Sequence, residues 1–145
     1  MLKLHRNFAR RELVCGWLAA TLFSGAPSTL YALATGSDPL EATRAAGAML
    51  VHPASALPIL VAAAAAVHFT VSLFWSVVFG WTLPRRGVVV WSVLGSAAVA
   101  VLDLRVIAPA FFPSLAALAF WPQFADHLMW GACFGLALQL CRSTP

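Results

Sequence analysis

Residues 53–84 read PASALPILVAAAAAVHFTVSLFWSVVFGWTLP, thirty-two consecutive positions without one Asp, Glu, Lys or Arg. About 20 apolar residues are enough to cross a bilayer core of roughly 30 Å. A helix on the surface of a soluble domain would need a charged face, and this stretch has none. It reads as a membrane span over residues 57–83 with length to spare.

The rest of the chain agrees. Charged residues make up 10% of its 145 positions and hydrophobic ones 61%, with a mean hydropathy of +0.86; soluble domains carry about 25% charge. The net charge of +4 does not imply a nucleic-acid partner. The basic residues sit at the ends of apolar segments, where membrane topology uses them. A first span covers residues 13–34, behind a basic leader of Lys3, Arg6, Arg10 and Arg11. Ala32-Leu33-Ala34 has the look of a signal-peptide cleavage site, and Arg10-Arg11 faintly that of a twin-arginine signal. A signal's apolar region runs to about 7–15 residues, shorter than this one, so a retained anchor is expected. A third span covers residues 87–107, with Asp103 and Arg105 near its far end. A fourth covers residues 122–141 and closes on Arg142; its start is blurred by Pro109, Pro113 and Pro122.

Four spans make the charges consistent. Lys3, Arg6, Arg10, Arg11, Arg85, Arg86 and Arg142 fall on one side, Arg44 and Arg105 on the other. The positive-inside rule then puts both termini in the cytoplasm and the two longer loops outside. Trp17, Trp81 and Trp91 suit an inner aromatic belt, Tyr31 and Trp121 an outer one. The expected fold is a single all-α domain, a four-transmembrane-helix bundle in a bacterial inner membrane with short interfacial helices in both outer loops. In the first loop, Asp38-Pro39-Leu40-Glu41 predicts a helix from Pro39 to about Val51, with Asp38 as N-cap and Pro39 at its first position. The second loop, residues 108–122, is apolar and proline-punctuated, which suits an interfacial helix, a cap over the bundle or a re-entrant segment covered by protein.

Small residues let membrane helices approach closely. Gly131 and Gly135 form a GxxxG pair in the fourth span; Ser96 and Ala100 belong to a small-residue row in the third. Such faces serve packing within the bundle, or else a second copy or a larger membrane complex. The three cysteines, Cys15, Cys133 and Cys141, have no metal-site spacing and read as small apolar residues.

Ionisable residues at membrane depth are functional suspects. His68 lies near the middle of the second span; Asp103, Arg105, Asp126 and His127 share the outer third. They make either a proton or ion relay with an outward pocket, or structural ion pairs, Arg105 with Asp126 being one. For His68 the structural alternative is a hydrogen bond to a neighbouring span's backbone, to Ser72 or to Thr70. His68 and His127 are also the best pair for haem, but their depths differ by about 8 Å at helical rise. No cofactor and no metal is expected. Nucleotide-binding, hydrolase and metalloprotease signatures are absent, so an enzyme is not expected either.

Three segments resemble the YagU-like group of small four-span bacterial inner-membrane proteins: residues 37–44 (SDPLEATR), 66–72 (AVHFTVS) and 120–131 (FWPQFADHLMWG). The resemblance implies four spans and an inner-membrane location but no activity, and it raises His68 and His127 above the other polar positions. The leading expectation is a non-enzymatic accessory or self-associating subunit. The alternative is a small proton- or ion-coupled transport protein, and the third a haem-binding cytochrome.

Overall fold

The structure, a computed structural model, describes residues 8–142; the leader residues Lys3, His5 and Arg6 lie outside the described residues. The described chain is helical throughout: α1 Arg10–Phe23, α2 Ala26–Thr35, α3 Glu41–Gly47, α4 Leu57–Thr82 and α5 Val88–Leu102. A π-helical turn, Asp103–Ile107, follows, then α6 Ala108–Phe111, α7 Pro113–Ala116 and α8 Phe120–Arg142. Three stretches are long and apolar enough to cross a membrane: Arg10–Thr35, Leu57–Thr82 and Val88–Phe111. At 1.5 Å per residue, α4 alone is about 39 Å long.

Several expectations need correcting. The fourth expected span, α8, has the length but is not among those three stretches. Gln123, Asp126, His127, Gln139 and Arg142 dilute its apolar content. The first span is broken. α1 stops at Phe23, and α2 restarts with Gly25 as N-cap and Pro27 in its first turn. A proline interrupts the backbone ladder in mid-span and favours a fresh N-terminus. The third span runs on past residue 107 through the π turn to Phe111. In the first outer loop the helix is only Glu41–Gly47, and Leu40 is its N-cap. Asp38 stands two residues earlier, where its carboxylate accepts the Leu40 amide at 2.9 Å and pairs with Arg44. It is an Asx-type turn residue, and Pro39 lies in that turn.

α8 runs between α1 and α5 and also packs on α2, while α4 lies against α1 and α3. Helical spacing explains the seam between α5 and α8. Val88, Ser92, Ser96 and Ala100, four apart, form the buried edge of α5. Gly131 and Gly135 face it. A Cβ at Gly131 would stand 2.6 Å from the Ser92 carbonyl oxygen, and one at Gly135 2.6 Å from Val89 Cα. Only glycine permits that backbone approach, the small-residue packing of membrane helices. The GxxxG face is therefore filled within the bundle and leaves no surface for a partner.

α4 reaches α8 through aromatic rings. Phe79 meets Trp130 and Phe134 edge-on at 5.5 and 6.0 Å between centroids, and Trp130 stacks on Phe134 at 5.1 Å. These rings, with Ala20, Leu83, Val88 and Leu138, make the buried core. Beneath them, towards the arginine-rich end, Arg85 holds the buried Glu12 carboxylate at 3.1 Å. Many large side chains point outward, including Leu22, Phe23, Leu140 and Trp121. An apolar belt of this extent suits acyl chains; a soluble monomer rarely exposes so much.

Candidate functional site

At the opposite end from the arginines, the bundle opens into a cleft of about 460 Å³. Its α4 wall is one helical stripe: Val61, Ala64, His68, Ser72, Trp75 and Phe79. Its α8 wall is another, Gln123, Asp126, His127 and Trp130, spaced i, i+3, i+4, i+7. α5 adds Ser96 and Val99, and the π turn that continues it adds Asp103. Part of α3 covers the top, and the Phe79–Trp130 contact closes the bottom. The cleft is not sealed: Val61, Ala65, His68 and Val71 on the α4 wall are exposed, as is Thr29 at the rim.

Four of the five polar positions singled out from sequence line this cleft: His68, Asp103, Asp126 and His127. Arg105 does not. Its guanidinium lies 4.2 Å from the centroid of the Phe120 ring, a cation–π contact. The expected Arg105–Asp126 pair is therefore absent. Two residues beyond Asp103, Arg105 points to a different face, and the π turn that begins at Asp103 carries it past the α8 wall.

The break in the first span accounts for two of the four. Helix ends leave unpaired carbonyls and amides, and inside a membrane each needs a protein partner. At the end of α1, the Thr21 carbonyl lies 2.9 Å from His68 Nε2, with Ser24 Oγ at 3.2 Å from the same nitrogen. A carbonyl only accepts, so His68 donates from Nε2. At the start of α2, the Ser28 amide donates to Asp126 Oδ1 at 2.9 Å. His68 and Asp126 thus cap the two ends of the break from neighbouring helices. For His68 this is the backbone hydrogen bond that the sequence offered as its structural role.

The other two form a pair. His127 Nε2 is 3.4 Å from Asp103 Oδ2, and its Nδ1 is 2.9 Å from the Gln123 carbonyl. Both partners are acceptors, so both nitrogens face positions that want a proton. A neutral imidazole can donate to one of them, an imidazolium to both. His127 Nε2 is thus placed to share a proton with the Asp103 carboxylate. A haem iron bound at His127 would have to displace one of these partners, and His68 directs Nε2 at Thr21. No cluster of three or more metal-ligating side chains occurs among the described residues.

Below the charged groups runs a buried polar ladder that sequence reading missed. Trp130 Nε1 donates to Ser72 Oγ at 2.8 Å, Ser72 Oγ bonds Thr21 Oγ1 at 2.6 Å, and Thr21 passes its proton to the Trp17 carbonyl. Ser96 lines the cleft with a buried hydroxyl that has no hydrogen-bond partner. The i, i+3, i+4, i+7 recurrence of Gln123, Asp126, His127 and Trp130 was the available signal for a polar inward face on α8. No family model matches the chain, and neither the curated proteins nor the solved structures contain a match.

Proposed function

We propose that the chain is a four-span protein of a bacterial cytoplasmic membrane, both ends inside, that takes a small amphipathic solute into the cleft and exchanges it for a proton. One observation carries this reading. His68, Asp103, Asp126 and His127 converge from α4, the π turn and α8 on a single cleft, where His127 Nε2 stands 3.4 Å from Asp103 Oδ2. Ionisable side chains are costly in a bilayer and mark solute or proton paths. A concave, largely apolar site with a few convergent polar groups is the usual form of a small-ligand site.

α8 fits as the fourth span. Its 23 residues extend about 34 Å, and its polar residues Gln123, Asp126 and His127 turn to the cleft. Arg85, Arg86 and Arg142 then lie together on the inner side, as the positive-inside rule asks. A solute settling beside the His127–Asp103 pair displaces its proton to the side to which the cleft opens, and the pair takes up a proton again when the solute leaves. Assembly through the Gly131–Gly135 face, the competing reading, has no free surface.

Reconstituted vesicles with a pH-reporting dye inside test this. Small cationic, neutral and anionic amphiphiles are added outside in turn. At least one should drive proton movement, and His127→Gln should abolish that movement while leaving solute binding within a few-fold of the parent chain. Undiminished proton movement in His127→Gln, or none with any solute, would refute the exchange.

A further inference from the structure

We infer that the solute is a monovalent organic cation, an ammonium head on a compact aromatic or alkyl body. The inference rests on the exchange reading above and names its substrate class. The charges on the cleft wall set the class of solute. Two carboxylates, Asp103 and Asp126, line the cleft, and no Lys or Arg does. Asp103 already has a partner, His127 Nε2 at 3.4 Å. His68 is engaged, its Nε2 donating to the Thr21 carbonyl. Asp126 accepts from the Ser28 amide and has no Lys or Arg against it among the cleft-lining residues. An amide dipole eases a carboxylate but does not neutralise it. The side chains of fixed charge type on the described cleft wall are thus carboxylates alone, the complement of a monovalent cation. An anion would meet two carboxylates and no fixed positive partner.

The walls say what kind of cation. Phe69, Trp75, Phe79 and Trp130 line the cleft beside the carboxylates. Aromatic faces attract ammonium groups, best when desolvated, and they accept an apolar body. An inorganic cation would instead need several converging oxygen ligands, and no metal-binding cluster exists among the described residues. Ser96 supplies an independent sign of a ligand. Its hydroxyl is buried, lacks a partner and belongs to the cleft wall; such a group normally has one. Finally, the α4 wall is exposed at Val61, Ala65 and Val71. These positions lie on a span, so the route in passes beside acyl chains, which suits a lipophilic cation.

The test is calorimetric binding to the full chain in lipid nanodiscs. Three probes of one shape differ in charge: benzyltrimethylammonium, its uncharged carbon isostere neopentylbenzene, and benzenesulfonate. The ammonium should bind one to one and at least about tenfold more tightly than the isostere, as a partly desolvated charge pair beside aromatic faces implies. Benzenesulfonate should not bind. Asp126→Asn keeps an acceptor for the Ser28 amide, so it should hold the fold, leave the isostere's affinity unchanged and erase the preference for the ammonium. Asp126→Glu should retain that preference. Equal binding of isostere and ammonium, or an undiminished preference in Asp126→Asn, would overturn the cation assignment while leaving the cleft as a solute site. Failure of all three probes to bind would overturn the cation assignment; the proton-movement experiment then decides the exchange reading by itself.

Discussion

The two ends of the bundle are built on opposite principles. At the arginine-rich end, contact is dry and close. Gly131 and Gly135 press on α5, Phe79, Trp130 and Phe134 interlock, and the buried carboxylate Glu12 is held by Arg85. At the other end, α4 stands off from α8, the first span breaks, and polar groups line the gap. The difference teaches where each part of the chain is free to change. The packed end tolerates no added volume because backbones touch. The open end depends on hydrogen-bonding partners, and its substitutions should be mild for folding and strong for binding.

The contrast can be broken by substitution, and the largest effect is expected at the seam. Gly135→Leu places atoms where the Val89 backbone already lies. It should cost about 3 kcal/mol or more, the upper range for overpacking, read as a shift of the detergent-denaturation midpoint; an unshifted midpoint would mean that the two helices are not in contact. Next comes Arg85→Ala. It takes the cation from the buried Glu12 carboxylate, which keeps the Ala9 amide; that amide and the half-exposure of Arg85 moderate the loss to about 2 kcal/mol, below that of a fully buried pair. Adding Glu12→Gln should restore part of it, and strict additivity of the two changes would argue against the pair.

Smaller effects belong to the open end. Ser72→Ala removes the acceptor for Trp130 Nε1 and should cost about 1–2 kcal/mol; a shifted tryptophan emission would report the freed indole. Asp126→Ala removes the cap of α2 and should cost about 1 kcal/mol, with Asp126→Asn costing less, since caps are worth about 0.5–2 kcal/mol. Equal losses for the two would remove the cap as the reason for Asp126's place. The smallest change is Gly25→Ala. Nothing lies within 4 Å of the added methyl, and the backbone φ is −79°. It should stay within about 0.5 kcal/mol of the parent, against the severe loss at Gly135, although both replace glycine.

Much of the architecture was legible from composition. Residues 57–82 carry no charge, so their place as a span needs no knowledge of neighbours. The candidate site was legible in part. His68, Asp103, Asp126 and His127 stood out by being ionisable in apolar surroundings, and they do share one cleft. Arg105 stood out equally and does not join them, because its direction depends on the π turn. Asp38 looked like a helix cap but serves a turn two residues upstream. Both outcomes rest on one-residue differences in helix phase or start, which local residue preferences do not resolve.

The sequence alone determined that this is a helical chain with segments long and apolar enough to cross a membrane, and with ionisable residues in or beside them. Those properties follow from the transfer of side chains between water and hydrocarbon, which each segment obeys independently. The tertiary structure decided which polar groups meet. It joined His127 to Asp103, sent Asp126 and His68 to the two ends of a broken helix, turned Arg105 onto Phe120, and spent the glycine pair within the bundle. Each of these depends on the relative depth and rotation of separate helices. In a membrane those are set by side-chain packing and by the need of every backbone group for a partner, constraints that exist only once the helices stand side by side.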